Sequence, residues 1–81
     1  MILPAAYMGR VHTLWVARDQ LQWGVFDPEQ NRIYLHQTPE AGSVDLLDLA
    51  VAHTVLNGGA AYVVELEQMP EPQLAAAIFR Y

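Results

Sequence analysis

The chain has 81 residues, no cysteine and a formal charge of -5, from nine acidic residues against four arginines and no lysine, with 53% hydrophobic residues. That length allows one domain with a modest core, and the missing cysteines exclude disulfides and thiolate metal sites. The charge disfavours nucleic acid, because affinity for phosphate backbones comes largely from cationic side chains that release counterions. The start, Met-Ile-Leu-Pro-Ala-Ala, lacks the basic flank and apolar core of a signal peptide, and no run reaches the roughly 20 apolar residues that span a bilayer. The expectation is a cytoplasmic protein.

In chain order, residues Leu3 to Gly9 predict a short helix stub, with Pro4 tolerable in its first turn and Gly9 as its stop. Val11 to Ala17 combines β-branched and aromatic residues and predicts a central strand, broken by Arg18 and Asp19. Leu21 to Phe26 and Arg32 to His36 flank Asp27-Pro-Glu-Gln-Asn31, whose turn chemistry predicts a β-hairpin. Alternation is better here than in the central strands, so the hairpin is expected at a sheet edge with one wet face. Thr38 to Ser43 reads as a loop.

Asp45 to Asn57 predicts the one main helix, capped by Ser43 or Asp45, favoured by Asp48 near its start and ended by Gly58 in a left-handed conformation. Leu47, Ala50, Val51, Thr54 and Val55 share a face, and Leu46, Leu49 and Leu56 widen the apolar arc, so the helix is expected to make contacts on more than one side. Ala60 to Leu66 predicts a strand parallel to the first, joined to it by a crossover. After a turn over residues 67–73, with Pro70 and Pro72, Leu74 to Tyr81 predicts an antiparallel return. The fold expected is α/β: a mixed sheet of four to five strands in an α/β/α-type sandwich, with the N-terminal helix cut short.

Three segments, Val11 to Ala17, Ala60 to Leu66 and Leu74 to Tyr81, are apolar at almost every position, the pattern of strands buried on both faces. One main helix covers only one face. The other needs an N-terminal helix, a twin copy or another domain. The contact surface expected from this reading comprises Trp23 on the hairpin with Leu14, Val16, Val64 and Ile78 of the sheet, and a homodimer is expected for the isolated chain.

Candidate chemistry is sparse. His12, His36 and His53 match no zinc spacing and read as surface or hydrogen-bonded structural histidines. Gly58-Gly59 follows a helix and precedes a strand, the reverse of a phosphate loop. Asp45 with Asp48 read as helix-start residues, and Glu65 with Glu67 as one face of a strand beside a loop. No catalytic residue, metal ligand or cofactor site is assigned. Trp15, Trp23, Phe26, Tyr34, Tyr62, Phe79 and Tyr81 lack the neighbouring cations of a base-stacking platform and read mainly as core, with Trp23 kept open as a contact residue.

Five stretches read together carry a resemblance: Ala5-Ala-Tyr-Met-Gly-Arg-Val-His-Thr-Leu14, Trp23-Gly-Val-Phe-Asp27, Asp45-Leu-Leu-Asp-Leu-Ala50, Asn57-Gly-Gly59 with Tyr62-Val63, and Met69-Pro70 leading to Ala76-Ala-Ile-Phe-Arg-Tyr81. In order and spacing the chain resembles the C-terminal domain of the bacterial archaeo-eukaryotic release factor family. The resemblance implies the fold of the third domain of eukaryotic class I release factors, related to kink-turn-binding ribosomal proteins, and a partner-binding role. Peptidyl-tRNA hydrolysis in those factors belongs to a Gly-Gly-Gln loop in another domain; Gly58-Gly-Ala60 here is not that loop. Residues 1–81 would then be a single such domain, a fragment or an orphan without the two upstream domains.

The function expected is a non-catalytic protein-interaction module, ribosome- or translation-associated by resemblance, with a protein partner or itself as partner and no membrane. A second reading is an RNA-binding module of the kink-turn type, which requires Arg10, Arg18 and Arg32 to cluster on one surface. A third, a small enzyme using His36 or His53 with a carboxylate, requires two such groups within hydrogen-bonding distance in a pocket.

Overall fold

Most predicted segments form the kind of element their pattern implies; the strand expected over Ala60 to Leu66 ends at Val64, so Glu65 and Glu67 belong to a 3-10 turn and not to a strand face. The computed structural model describes residues 2–69 and 73–80. It contains α1 (Ile2–Tyr7), β1 (Val11–Ala17), β2 (Trp23–Asp27), β3 (Arg32–His36), β4 (Val44–Asp45), α2 (Leu46–Leu56), β5 (Ala60–Val64), a 3-10 turn (Leu66–Gln68) and β6 (Ala75–Phe79). Pro70, Pro72 and Tyr81, assigned above to a turn and a strand end, lie outside the described residues.

Both helices stop by the same chemistry. Gly9 (φ +74°) and Gly58 (φ +85°) occupy the left-handed region. Beyond α2 the Gly58 N–H donates to the Val55 carbonyl and the Gly59 N–H to Thr54; beyond α1 Gly9 donates to Ala6 and Arg10 to Ala5. This paired arrangement satisfies the last carbonyls of each helix. At the start of α2, Asp45 Oδ1 accepts from the Leu47 N–H and from the Gln22 N–H, each at 3.2 Å. One carboxylate thus caps the helix and ties it to the hairpin.

The strands form two sheets of three, ordered β5-β1-β6 and β3-β2-β4. In the first, β5 runs parallel to β1 and β6 antiparallel, the crossover and return expected. In the second, β2 pairs with β3 through Val25↔Tyr34 and Phe26↔Ile33, and with β4 through Trp23↔Asp45 and Gly24↔Val44. The expectation of one sheet with four to five strands and the hairpin at its edge is therefore corrected. The hairpin finds its other partner in the short segment before α2. Gly24 permits the close approach of β3 and of the start of α2, since a Cβ there would strike the Tyr34 carbonyl and come within 2.8 Å of Leu46 Cδ1.

The core lies between the helices and one face of the β5-β1-β6 sheet. Leu3, Ala5 and Ala6 of α1, and Leu46 and Ala50 of α2, pack with Val11, Leu14 and Val16 of β1. Ala61, Ala75 and Ala77 flank them, and Phe26 and Ile33 close the side toward the hairpin. Val11 and Leu14 share this face despite their odd separation because the β1–β6 register shifts between Val11 and Thr13, where an extra residue reverses the parity of the strand. The Asn57 side-chain amide donates to Ala6 (3.1 Å) and His53 (2.9 Å), joining α1 to α2. Tyr7 meets Phe26 and His53 edge-on, with ring centroids 5.5 and 5.2 Å apart.

The α/β/α sandwich is met only in part. Both helices cover the same sheet face, and among the described residues no helix covers the other. Nor is any helix of the described residues long and apolar enough to cross a membrane.

Candidate interaction surface

The uncovered face of the β5-β1-β6 sheet follows from strand parity. With Leu14 and Val16 turned to the helices, Thr13, Trp15 and Ala17 point the other way. Their partners across the sheet share that direction: Ala60 and Ile78 beside Thr13, Tyr62 and Ala76 beside Trp15, Val64 beside Ala17. The Trp15 and Tyr62 rings lie roughly parallel, centroids 6.4 Å apart and planes 28° apart. Tyr62 is 53% exposed and Ile78 54% exposed, whereas Leu14 on the opposite face is wholly buried.

A shallow concavity of about 490 Å³ lies on this face, lined chiefly by Trp15, Val64, Gln68, Met69, Ala76 and Ile78. Met69, itself buried, closes one end. The 3-10 turn that delivers it is held by a reciprocal cap between Glu65 and Gln68. The Arg18 guanidinium bridges Glu65 Oε1 at 2.9 Å across two half-exposed side chains, so the charge beside this end is balanced. The surface is an apolar shelf with an aromatic row across its middle. Such a shelf can lose its water against another apolar surface, which is the chemistry of association.

The expected contact residues divide. Val64 and Ile78 lie on the open face. Leu14 and Val16 do not: both are buried under the helices, a correction whose cause is parity, since odd and even positions of β1 are equally apolar. Trp23 belongs to the second sheet, partly buried opposite His36, and so is separate from this shelf. Trp15 and Tyr62, read above as core aromatics, supply the middle of the shelf. Their direct pairing across parallel strands is a signal that emerges once the β1–β5 register is known.

Arg10 and Arg18 bracket β1, about 26 Å from each other at ~3.3 Å per residue. Arg32 starts β3 opposite Asp27. Arg80 sits near Arg10, donating its backbone N–H to the Arg10 carbonyl and its guanidinium to the Asn57 carbonyl at the end of α2. The histidines are dispersed. His12 Nδ1 lies 2.7 Å from Thr13 Oγ1, His53 packs on Tyr7, and His36 Nδ1 is 4.0 Å from Glu40 Oε2, beyond hydrogen-bonding range. Among the described residues no group of three or more His, Cys, Asp or Glu side chains is arranged to hold a metal ion. Gly59 serves the packing of α2 on β1, because a Cβ there would lie 2.6 Å from the Val11 carbonyl and 2.8 Å from Thr54 Cγ2.

No family model matches the chain, and no curated protein matches it in sequence.

Proposed function

We propose that this chain is a non-catalytic protein-interaction module that receives its partner on the open face of the β5-β1-β6 sheet. One observation carries the reading: Tyr62 and Ile78 stand half exposed beside the partly buried Trp15 on one side of a sheet whose other side is closed by two helices. Exposed apolar surface gathered in one place, with aromatic anchors at its centre, is the pattern of a binding site, unlike scattered single hydrophobic residues. The resemblance to release-factor C-terminal domains supports a translation-associated partner. The separation of Arg10 from Arg18 along β1 gives the RNA-binding reading no support.

The test is cosedimentation of the purified chain with ribosomal particles, comparing wild type with Ile78→Lys. Retention of the wild type and loss of the variant is the expected result. Equal retention of both removes the open face from the reading, and no retention of either removes the translation partner.

A further inference from the structure

We propose that the outer edge of β5 is a self-pairing edge, on which two copies of the chain join β5 to β5 antiparallel about a two-fold axis at Tyr62. This edge adjoins the open face at Tyr62, but the proposal does not depend on the function proposed for that face.

In the order β5-β1-β6, β5 has β1 on one side and, among the described residues, no strand on the other. Edge strands of soluble proteins are commonly blunted by charge, proline or a bulge, because their unpaired backbone groups template a further strand. Here β5 reads Ala60-Ala-Tyr-Val-Val64, without charge or proline, and its register with β1 runs unbroken from Ala60 to Val64. The outer strand of the other sheet, β3, carries Arg32 and His36.

Each face beside this edge carries an exposed apolar side chain, Tyr62 (53% exposed) on one and Val63 (54%) on the other. Val63 shares a concavity with Leu47 and Val51 of α2, which Arg18, Asp19, Asp45 and Asp48 also line, and this places that flank of the helix along β5. Val55, one turn beyond Val51 and 56% exposed, continues the flank.

Self-pairing is the occupant this edge fits. An antiparallel register centred on Tyr62 sets Ala61 opposite Val63 of the second copy and Ala60 opposite Val64, so no like charges meet even though each copy carries -5. The nearest carboxylate, Glu65, is already bridged to Arg18. With strands ~4.8 Å apart, the two α2 helices would lie roughly 10–14 Å from each other, close to the spacing of packed helices, so the valine flanks approach as the strands pair. The buried surface is roughly 400–500 Å² per copy, the size of a weak, transient interface. The other edge of this sheet, β6, is also free of charge and proline and exposes Ile78 and Phe79, but its pairing with β1 is irregular between Val11 and Thr13, so it is the less regular template.

The experiment is sedimentation equilibrium of the full chain from about 1 to 300 μM, for wild type, Val63→Lys and Ile78→Lys, each checked for native far-ultraviolet circular dichroism. Val63 is half exposed, so its replacement leaves the fold intact. The expected result is reversible dimerisation of the wild type, weakened at least about 100-fold by Val63→Lys and unchanged by Ile78→Lys. In a dimer of labelled and unlabelled chains, a nuclear Overhauser contact between Ala60 Hα and Val64 Hα of the second copy supports the register, because the Val64 carbonyl faces β1 and its Hα the open edge. A wild type monomeric throughout, a Val63→Lys variant that still dimerises, or a dimer lost only with Ile78→Lys overturns the proposal. None of these results alters the cosedimentation outcome for the open face.

Discussion

Truncating one apolar side chain on each face of the central sheet should have unequal consequences. Leu14 is fully buried and packed by both helices; replacing it with alanine removes three buried carbons, about 2.4 kcal/mol at ~0.8 kcal/mol per methylene. The cavity left under α1 and α2 raises the loss to about 3–4 kcal/mol. Ile78 is 54% exposed, so the same truncation removes roughly half as much buried surface, about 1 kcal/mol, and leaves no enclosed cavity. A chain of this size has a net stability of roughly 4–12 kcal/mol, so Leu14→Ala should remove a quarter or more of it, and Ile78→Ala a quarter or less. Urea denaturation followed by far-ultraviolet circular dichroism gives both values, provided the slopes with denaturant agree. Equal losses, or a larger loss at Ile78, would refute the assignment of covered and open faces.

Three further substitutions test the joints of the fold. Gly59→Ala should lower stability by about 1–3 kcal/mol, because the new methyl meets the Val11 carbonyl and Thr54 and the gain from a stiffer unfolded chain is smaller; a higher urea midpoint would show that α2 does not approach β1 as described. Asp45→Ala removes an acceptor shared by Leu47 and Gln22 and should cost about 1–2 kcal/mol, lowering Tm by several degrees, with Asp45→Asn recovering most of the loss. A Tm unchanged by Asp45→Ala would mean that the cap and the hairpin tie contribute nothing. Arg18→Ala breaks a bridge between half-exposed side chains and should change stability by less than about 0.5 kcal/mol. A larger thermal shift would assign that end of the shelf a structural weight the geometry does not give it.

Much of the architecture was legible because local chemistry and hydrophobic pattern agreed. The caps at Asp45, Gly9 and Gly58, the Asp27-to-Asn31 turn and the apolar strands each mark one element, and the crossover follows from their order. The second sheet was not legible. It depends on β4, only Val44–Asp45, whose aspartate reads simply as a helix cap, and on the bare flank of Gly24. Nor could the covered face be told from the open one. Trp15 is as apolar as Leu14 and Val16, so alternation carries no signal, and the irregularity between Val11 and Thr13 reverses parity within the strand. That ambiguity put Leu14 and Val16 on the contact surface and left Trp15 and Tyr62 off it, whereas Val64 and Ile78 lie on strands where the choice of parity happened to match.

The claim on which the account turns is that partners meet this molecule on the shelf of Trp15, Tyr62 and Ile78. Its most direct test is a photoreactive phenylalanine derivative placed either at Ile78 or at Tyr34, which is 45% exposed on the hairpin, irradiated with the chain bound to ribosomal particles. One covalent adduct of defined mass is expected from position 78 and none from position 34. An adduct formed only from position 34 would contradict the claim.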